Sequence, residues 1–296
     1  MINKGITGLF SSDVAMFNQF LYIDALRGED STGAIGYMNN GEVFVIKDAI
    51  DANTMLNTTE YSKFADKVSK TGKALIGHNR KKTVGKIDPT TAHPFVIDDR
   101  FAFVHNGTLY SHKHLADTEV DSEALGMVLA RCEGDKAKLE ATLEKVYGAY
   151  ACAWVDQKQD KLYLLRNDDR PLYLAEAQGV YYFASENTAI AHILIRNGVK
   201  LDKIEKVKEN TLYVFDLSNK EMMSGWQEVP LSVKKPTAPT RGTEYGADGT
   251  ETFKGSFQES TSKAAYKKFR REFVGSILSF HCMDYYPISA DAENNQ

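Results

Sequence analysis

Residues 148–166 read GAYACAWVDQKQDKLYLLR, and this stretch decides how the chain is built. Ala149 to Asp156 is rich in apolar and aromatic residues, and Lys161 to Arg166 repeats that composition after the polar turn Gln157 to Asp160. Two such runs around a short polar turn predict a β-hairpin. Because a hairpin joins antiparallel strands, the stretch favours an antiparallel sheet.

Similar patterns extend to both sides of this hairpin. Asn39-Asn40-Gly41 is a strong hairpin turn, because both central positions tolerate positive φ. The predicted strands are 34–37, 42–47, 73–78, 101–105, 149–156, 161–166, 172–175, 180–184 and 211–216, and the predicted helices are 14–28, 121–131, 136–147 and 186–196. Helices interleaved with antiparallel hairpins predict an α+β fold of sheets covered by helices, rather than a doubly wound fold.

The composition limits the kinds of partner. The chain has 296 residues, 43% of them hydrophobic, which is enough for a full core without disulfides or metals. A net charge of -4 does not predict a nucleic-acid partner. The chain contains no run of about 18 apolar residues and no apolar segment typical of a signal peptide. We therefore predict a cytoplasmic protein without a membrane or nucleic-acid partner.

The three cysteines, Cys132, Cys152 and Cys282, lie far apart and form no CxxC pair. This spacing predicts neither a disulfide framework nor a zinc site. Unpaired thiols suit a reducing compartment. We predict no metal and no cofactor.

The composition changes near Lys234. Residues 235–262 are rich in Pro, Thr, Gly, Ser and Glu, which predicts a flexible linker. An apolar stripe from Lys263 to about Phe280 predicts an amphipathic helix, within a C-terminal segment of residues 263–296. This helix either docks on the body of the protein, binds a partner or lies on a membrane surface. The predicted body is residues 1–234.

Five polar segments lie at strand ends and turns, where functional sites are built. They are Arg27–Ser31, Gly77–Thr83, Ala92–Phe95, His105–Gly107 and Asp121–Glu123.

Residues of these segments have a chemical interpretation, a simpler structural one, or both. Arg80 follows a buried strand and is well placed to clamp a carboxylate with two hydrogen bonds. The Asn106 amide beside the Gly107 backbone N–H is a plausible oxyanion hole, although the pair also suits a simple Asn-Gly turn. Asp121 also suits the N-cap of a helix, and a lone histidine such as His93 is usually structural.

The order and spacing of the segments resemble those of the class II (N-terminal nucleophile) glutamine amidotransferases across roughly residues 4–216. The segments that carry the resemblance are Gly5-Ile6-Thr7-Gly8, Arg27–Ser31, His78-Asn79-Arg80 with Thr83 and Gly85, Ala92–Phe95, His105–Gly107, Asp121–Glu123, Gly148–Tyr150, Arg170–Leu172 and Ala184–Glu186. The resemblance implies a four-layer αββα sandwich of antiparallel sheets, as in N-terminal nucleophile hydrolases.

The resemblance also implies a glutamine pocket and assigns roles within it. Arg80 would bind the α-carboxylate with help from Thr83, and Asp121 would hold the α-ammonium. Asn106 and Gly107 would form the oxyanion hole. The residues that would support the pocket are Arg27 and His93.

The chain departs from the family at the nucleophile. In the family a cysteine precedes the Gly-Ile-x-Gly stretch as the mature N-terminal residue, and its own α-amine serves as the base. Here that position is Lys4, behind Met1-Ile2-Asn3, and initiator methionine is not normally removed before isoleucine. We expect Lys4 not to be catalytic, and its ammonium to plug the pocket by pairing with Asp121 or an anion, or else to be solvated.

Two further departures surround the pocket. Val84 stands where the family usually has a histidine, and Lys81 and Lys82 add positive charge at the rim.

The chain also lacks P-loop, pyrophosphatase-loop and phosphoribosyl-binding signatures, so any acceptor chemistry would need a partner chain.

The leading prediction is a catalytically impaired amidotransferase homologue that acts by binding a glutamine-like ligand, a protein partner or a second copy of itself. A first alternative is an active amidotransferase or glutaminase that supplies ammonia to a partner chain, with processing that exposes Thr7 or another nucleophile. A second alternative is a structural or assembly protein that uses its C-terminal tail.

Overall fold

The computed structural model describes residues 4–83, 85–201, 203–218 and 225–234. The predicted linker and C-terminal helix lie outside these residues. The α-helices are α1 (Val14–Asp24), α2 (Ala52–Leu56), α3 (Thr59–Thr71), α4 (Asp121–Ala130), α5 (Lys136–Leu143) and α6 (Asn187–Arg196). The strands are β1 (Gly5–Leu9), β2 (Ser31–Met38), β3 (Val43–Asp48), β4 (Gly72–Arg80), β5 (Phe95–Ile97), β6 (Phe101–Ser111), β7 (Tyr147–Asp156), β8 (Lys161–Arg166), β9 (Tyr173–Ala177), β10 (Val180–Ala184), β11 (Lys203–Lys206), β12 (Thr211–Asp216) and β13 (Gln227–Pro230). Within the described ranges, no helix is both long and apolar enough to cross a membrane.

The strands form two antiparallel sheets. One has seven strands in the order β11-β9-β10-β1-β4-β2-β3, and the other has six in the order β13-β12-β8-β7-β6-β5. The hairpin predicted from residues 148–166 is β7 and β8, which pair in register from Ala151 with Arg166 to Asp156 with Lys161. The predicted α+β sandwich is confirmed.

Three apolar layers hold the sandwich together. The central layer lies between the sheets and includes Ile6, Ile76 and Val104. A second layer joins the outer face of the seven-stranded sheet to α1, α2, α3 and α6. A third joins the outer face of the six-stranded sheet to α4 and α5. The layers therefore follow the order helix, sheet, sheet, helix.

The main differences from the predicted elements lie between β3 and β4 and at the end of α5. Helices α2 and α3 were not predicted, although Tyr61, Phe64 and Val68 recur at helical spacing and are buried. Helix α5 ends at Leu143 rather than at Tyr147, because Tyr147 already pairs with Ser111 as the first residue of β7.

Strand periodicity determines which polar side chains point between the sheets. Successive side chains of a strand point to opposite faces. The side chains of Ile6, Ile76 and Val104 face the opposite sheet, so residues two or four positions away on the same strand face it as well. The residues placed on this inner side are Lys4, His78, Arg80 and Asn106. The pairing of Gly5 with Asn79 brings the start of β1 beside the end of β4.

Candidate functional site

Lys4 lies directly before β1 and is only 1% exposed. Its carbonyl oxygen accepts a hydrogen bond of 2.9 Å from Arg27 Nε. The Arg27 guanidinium also forms an ion pair with Glu186. The backbone at position 4 is therefore held in place, whereas Lys4 Nζ makes no hydrogen bond to a described residue.

The Lys4 ammonium lies in a field of mixed charge. Burial lowers the pKa of Lys4 from 10.5 to about 8, and the positive charges of Arg80 and Arg170 also lower it, while the carboxylate of Asp121 raises it. The ammonium is still the major form of Lys4 at pH 7. Four residues from separate parts of the chain therefore interact at one place.

Asp121 is the first residue of α4 and is fully buried. Its Oδ2 accepts a hydrogen bond of 2.8 Å from the backbone N–H of Leu109, while Oδ1 has no partner among the described residues. The N-cap of α4 is Val120, so the interpretation of Asp121 as an N-cap is wrong. Burial by itself would raise the pKa of Asp121. The interactions with Lys4 and His105 outweigh burial, so the pKa of Asp121 lies below its ordinary value.

Arg80 ends β4 with a fully buried side chain. Its Nη1 donates to the Lys86 carbonyl at 2.9 Å and to Thr91 Oγ1 at 3.3 Å. The guanidinium therefore holds the segment that follows β4. Thr83 lies in that segment, and its buried hydroxyl makes no hydrogen bond to a described residue.

Asn106 connects the two sheets at the site. Its Nδ2 donates to Ser185 Oγ at 3.2 Å, and the same oxygen accepts from the Ile6 backbone N–H at 3.0 Å. At Gly107, a Cβ atom would lie 1.9 Å from the Ala149 carbonyl oxygen, so the close approach of β6 and β7 requires glycine. The simple Asn-Gly turn is wrong, because β6 continues beyond both residues.

Three buried histidines border the site. The rings of His78 and His93 stack with centroids 3.9 Å apart, and His78 Nε2 donates to the His105 carbonyl at 3.0 Å. Burial lowers the pKa of all three, and the Lys4 ammonium lowers it further. For His105 the resulting pKa is about 4. The rings are therefore neutral at pH 7.

Asp24 is a buried carboxyl group that the sequence did not predict, and it lies on the helix side of the seven-stranded sheet, because Gly5 and Asn79 face away from the inner side. It lies so close to Gly5 that a Cβ there would be 2.0 Å from its Oδ1, and it accepts a hydrogen bond of 3.4 Å from Asn79 Nδ2. Burial raises the pKa of Asp24 to about 7, although Arg27 opposes this shift. An acidic residue at a helix end normally faces solvent, so nothing in the sequence marks it.

Ser185 and Arg170 were also missed as individual site residues. Both belong to segments that resemble family motifs, Ala184–Glu186 and Arg170–Leu172. The order of these segments along the chain was the sequence signal that could have identified the two residues. Ser185 acts through its hydroxyl as a bridge between β1 and β6, and Arg170 acts through its charge on Lys4.

Replacing Ser185 with alanine is expected to lower the free energy of unfolding by about 2 kcal/mol, because the buried Ile6 N–H and the Asn106 amide lose their acceptor. Urea denaturation measures the change. Ser111→Ala, at the exposed end of β6, is the control and should change little. Equal stability of the two variants would contradict the bridging role.

Two antiparallel sheets between helices, with a polar cluster at the start of β1, form a four-layer sandwich. The fold is similar to that of the B. subtilis glutamine phosphoribosylpyrophosphate amidotransferase, with a TM-score of 0.58 and 19% identity over 78% of this chain and 50% of that one. A solved structure described as the allosteric regulatory enzyme of purine biosynthesis has a TM-score of 0.60 at 19% identity, with the same coverage of both chains.

Sequence comparison shows which proteins this chain is similar to. Residues 78–192 match the family described as "Glutamine amidotransferase domain". The glutamine–fructose-6-phosphate aminotransferase of Synechocystis sp. is 28% identical over 64% of this chain and 32% of its own length, and that of Bacteroides thetaiotaomicron is 26% identical over 70% and 36%. The chain thus contains a class II glutamine amidotransferase-like domain. It spans about a third of the length of these relatives.

Proposed function

We propose that this domain is a catalytically impaired class II glutamine amidotransferase that acts by binding a ligand or a protein partner. The buried Lys4 carries the proposal, because it stands directly before β1, where the family has its nucleophilic cysteine. The described thiols, Cys132 and Cys152, lie in the apolar layer between the six-stranded sheet and its helices. Neither is placed to replace the missing one.

An amine at this position does not restore turnover. Attack by Lys4 Nζ on a side-chain amide would release ammonia once and leave an acyl-lysine, which is itself an amide. Catalysis through a covalent intermediate requires a second step that is easier than the direct reaction. Hydrolysis of a stable amide does not meet this requirement.

The remaining residues support a binding site for an amino-acid-like ligand. Arg80 and Asp121 offer the cation and the anion that such a ligand needs, with Thr83 in the segment next to Arg80. Arg27 holds the backbone of Lys4, and His93 stacks on the ring of His78. The donors Asn106 and Gly107 occupy the positions of the family's oxyanion hole.

The test is ammonia release by the purified full-length chain in the presence of glutamine. We expect no release above that of the Asn106→Ala variant, because position 4 is a lysine rather than the nucleophilic cysteine of the family. Asn53→Ala, at an exposed position of α2, is the matched control. Clear release that Asn106→Ala abolishes and Asn53→Ala leaves unchanged would overturn the proposal.

A further inference from the structure

Lys4 stands at the position where the family resemblance implies the cysteine that attacks the side-chain amide of glutamine. Lysine is several atoms longer than the cysteine of the family. Lys4 points to the same inner side as Ile6, and its Nζ is buried. The ammonium is therefore inside the proposed pocket rather than at its rim.

The charges inside the pocket do not balance when this ammonium is present. Lys4 and Arg80 both interact with the carboxylate of Asp121, whereas Arg170, whose charge also acts on Lys4, has a carboxylate of its own in Asp169. The three neighbouring histidines are neutral, because burial keeps their pKa low. Two cations, Lys4 and Arg80, therefore share one carboxylate in the inner site.

Carboxylates outside the pocket compensate this charge only in part. Asp30 and Glu119 interact with the Arg80 charge. However, Asp30 Oδ2 accepts from the backbone N–H of Lys82 at 2.7 Å, and Glu119 Oε1 accepts from that of Lys86 at 3.3 Å, both at exposed positions. These carboxylates hold the loop after β4.

The α-ammonium of a bound amino acid would be a second cation beside Asp121. The Lys4 ammonium already interacts with this carboxylate. Like charges repel strongly in a buried site of low effective dielectric. A carboxylic acid without an amino group carries only negative charge. Buried cationic groups are available to donate hydrogen bonds to it. Lys4 Nζ and Arg170 Nε have no hydrogen-bond partner among the described residues.

We infer that the Lys4 ammonium takes the place of the ligand's α-ammonium opposite Asp121, so that the pocket selects small carboxylic acids that lack an amino group. This inference rests on the proposed function and names the ligand class of that site. The pocket would discriminate against glutamine and glutamate by charge repulsion at the amino position, rather than by size.

Isothermal titration calorimetry of the full chain at pH 7 tests this with two matched pairs of probes, glutarate against glutamate and acetate against glycine. Each pair differs only in the amino group. We expect the wild type to bind the amine-free member about tenfold more tightly or better, because a second ammonium is repelled. Equal affinity within both pairs, or tighter binding of the amino acids, would overturn the inference.

Lys4→Met removes the internal ammonium and frees Asp121, so the preference should reverse towards the amino acids. Lys67→Met, a substitution on the outer surface of α3, should leave the wild-type preference intact. An unchanged preference in Lys4→Met would overturn the inference, and the wild-type comparison remains decisive should that variant fail to fold. Ammonia is measured in the same samples. Its release would overturn the proposed function, whereas a missing preference without release would overturn only the inferred ligand class.

Discussion

Replacing Lys4 with methionine is expected to raise the free energy of unfolding at pH 7 by about 3 kcal/mol. The reason is that the pKa of Lys4 falls from 10.5 to about 8 in the folded protein. This value already includes the attraction of Asp121, so the buried ammonium is a net cost. Methionine has a similar length and no charge, so it removes the cost of burying the ammonium and keeps most of the packing.

The pH dependence of this gain identifies its cause. Between pH 8 and 10.5 the unfolded chain binds more protons at Lys4 than the folded chain, so the wild type becomes more stable as pH rises through this window. Below pH 8 the penalty is present in full. The advantage of Lys4→Met should therefore be constant below pH 8 and vanish above pH 10.5.

Guanidinium denaturation at pH 7, 9 and 10.5 measures this difference. Lys67→Met is the control, because it removes a lysine whose side chain is 37% exposed. A surface substitution of this kind should change stability by no more than about 0.5 kcal/mol. A Lys4→Met protein that is less stable than the wild type would show that the ammonium forms a net favourable interaction.

A chain that begins at position 4 with cysteine is expected to release ammonia from glutamine. In the family that this chain resembles, the thiol of the first residue attacks and its α-amine is the base. Position 4 remains anchored, because Arg27 binds its backbone carbonyl and Gly5 pairs with Asn79. The new thiol would lie on the inner side, where Asn106 also points.

Asn106→Ala in this cysteine chain is expected to lower kcat by about 10²–10³, the usual effect of removing one oxyanion-hole donor. An ammonia-coupled assay measures both chains. The matched control begins at position 4 with alanine, which keeps the same backbone and has no nucleophile. A cysteine chain that binds glutamine but releases no more ammonia than the alanine chain would refute the assignment of Asn106 and Gly107.

Local sequence patterns predicted much of the fold. The hairpin of residues 148–166 appears as β7 and β8, and the turn at Asn39-Asn40-Gly41 joins the antiparallel strands β2 and β3. These features were predictable because turns and side-chain periodicity depend on neighbouring residues. The end of α5 was not, because pairing of Tyr147 with Ser111, which is distant in sequence, overrides helix propensity there.

The sequence by itself determined which residues are present at each motif, including the lysine at position 4 that precedes Gly5-Ile6-Thr7-Gly8. Only the tertiary structure decided what that lysine does. Its burial, the charge of Asp121 opposite it and the bridge through Ser185 all depend on contacts between distant segments. Desolvation and electrostatic interaction depend on distance in space, which residue spacing along the chain does not encode.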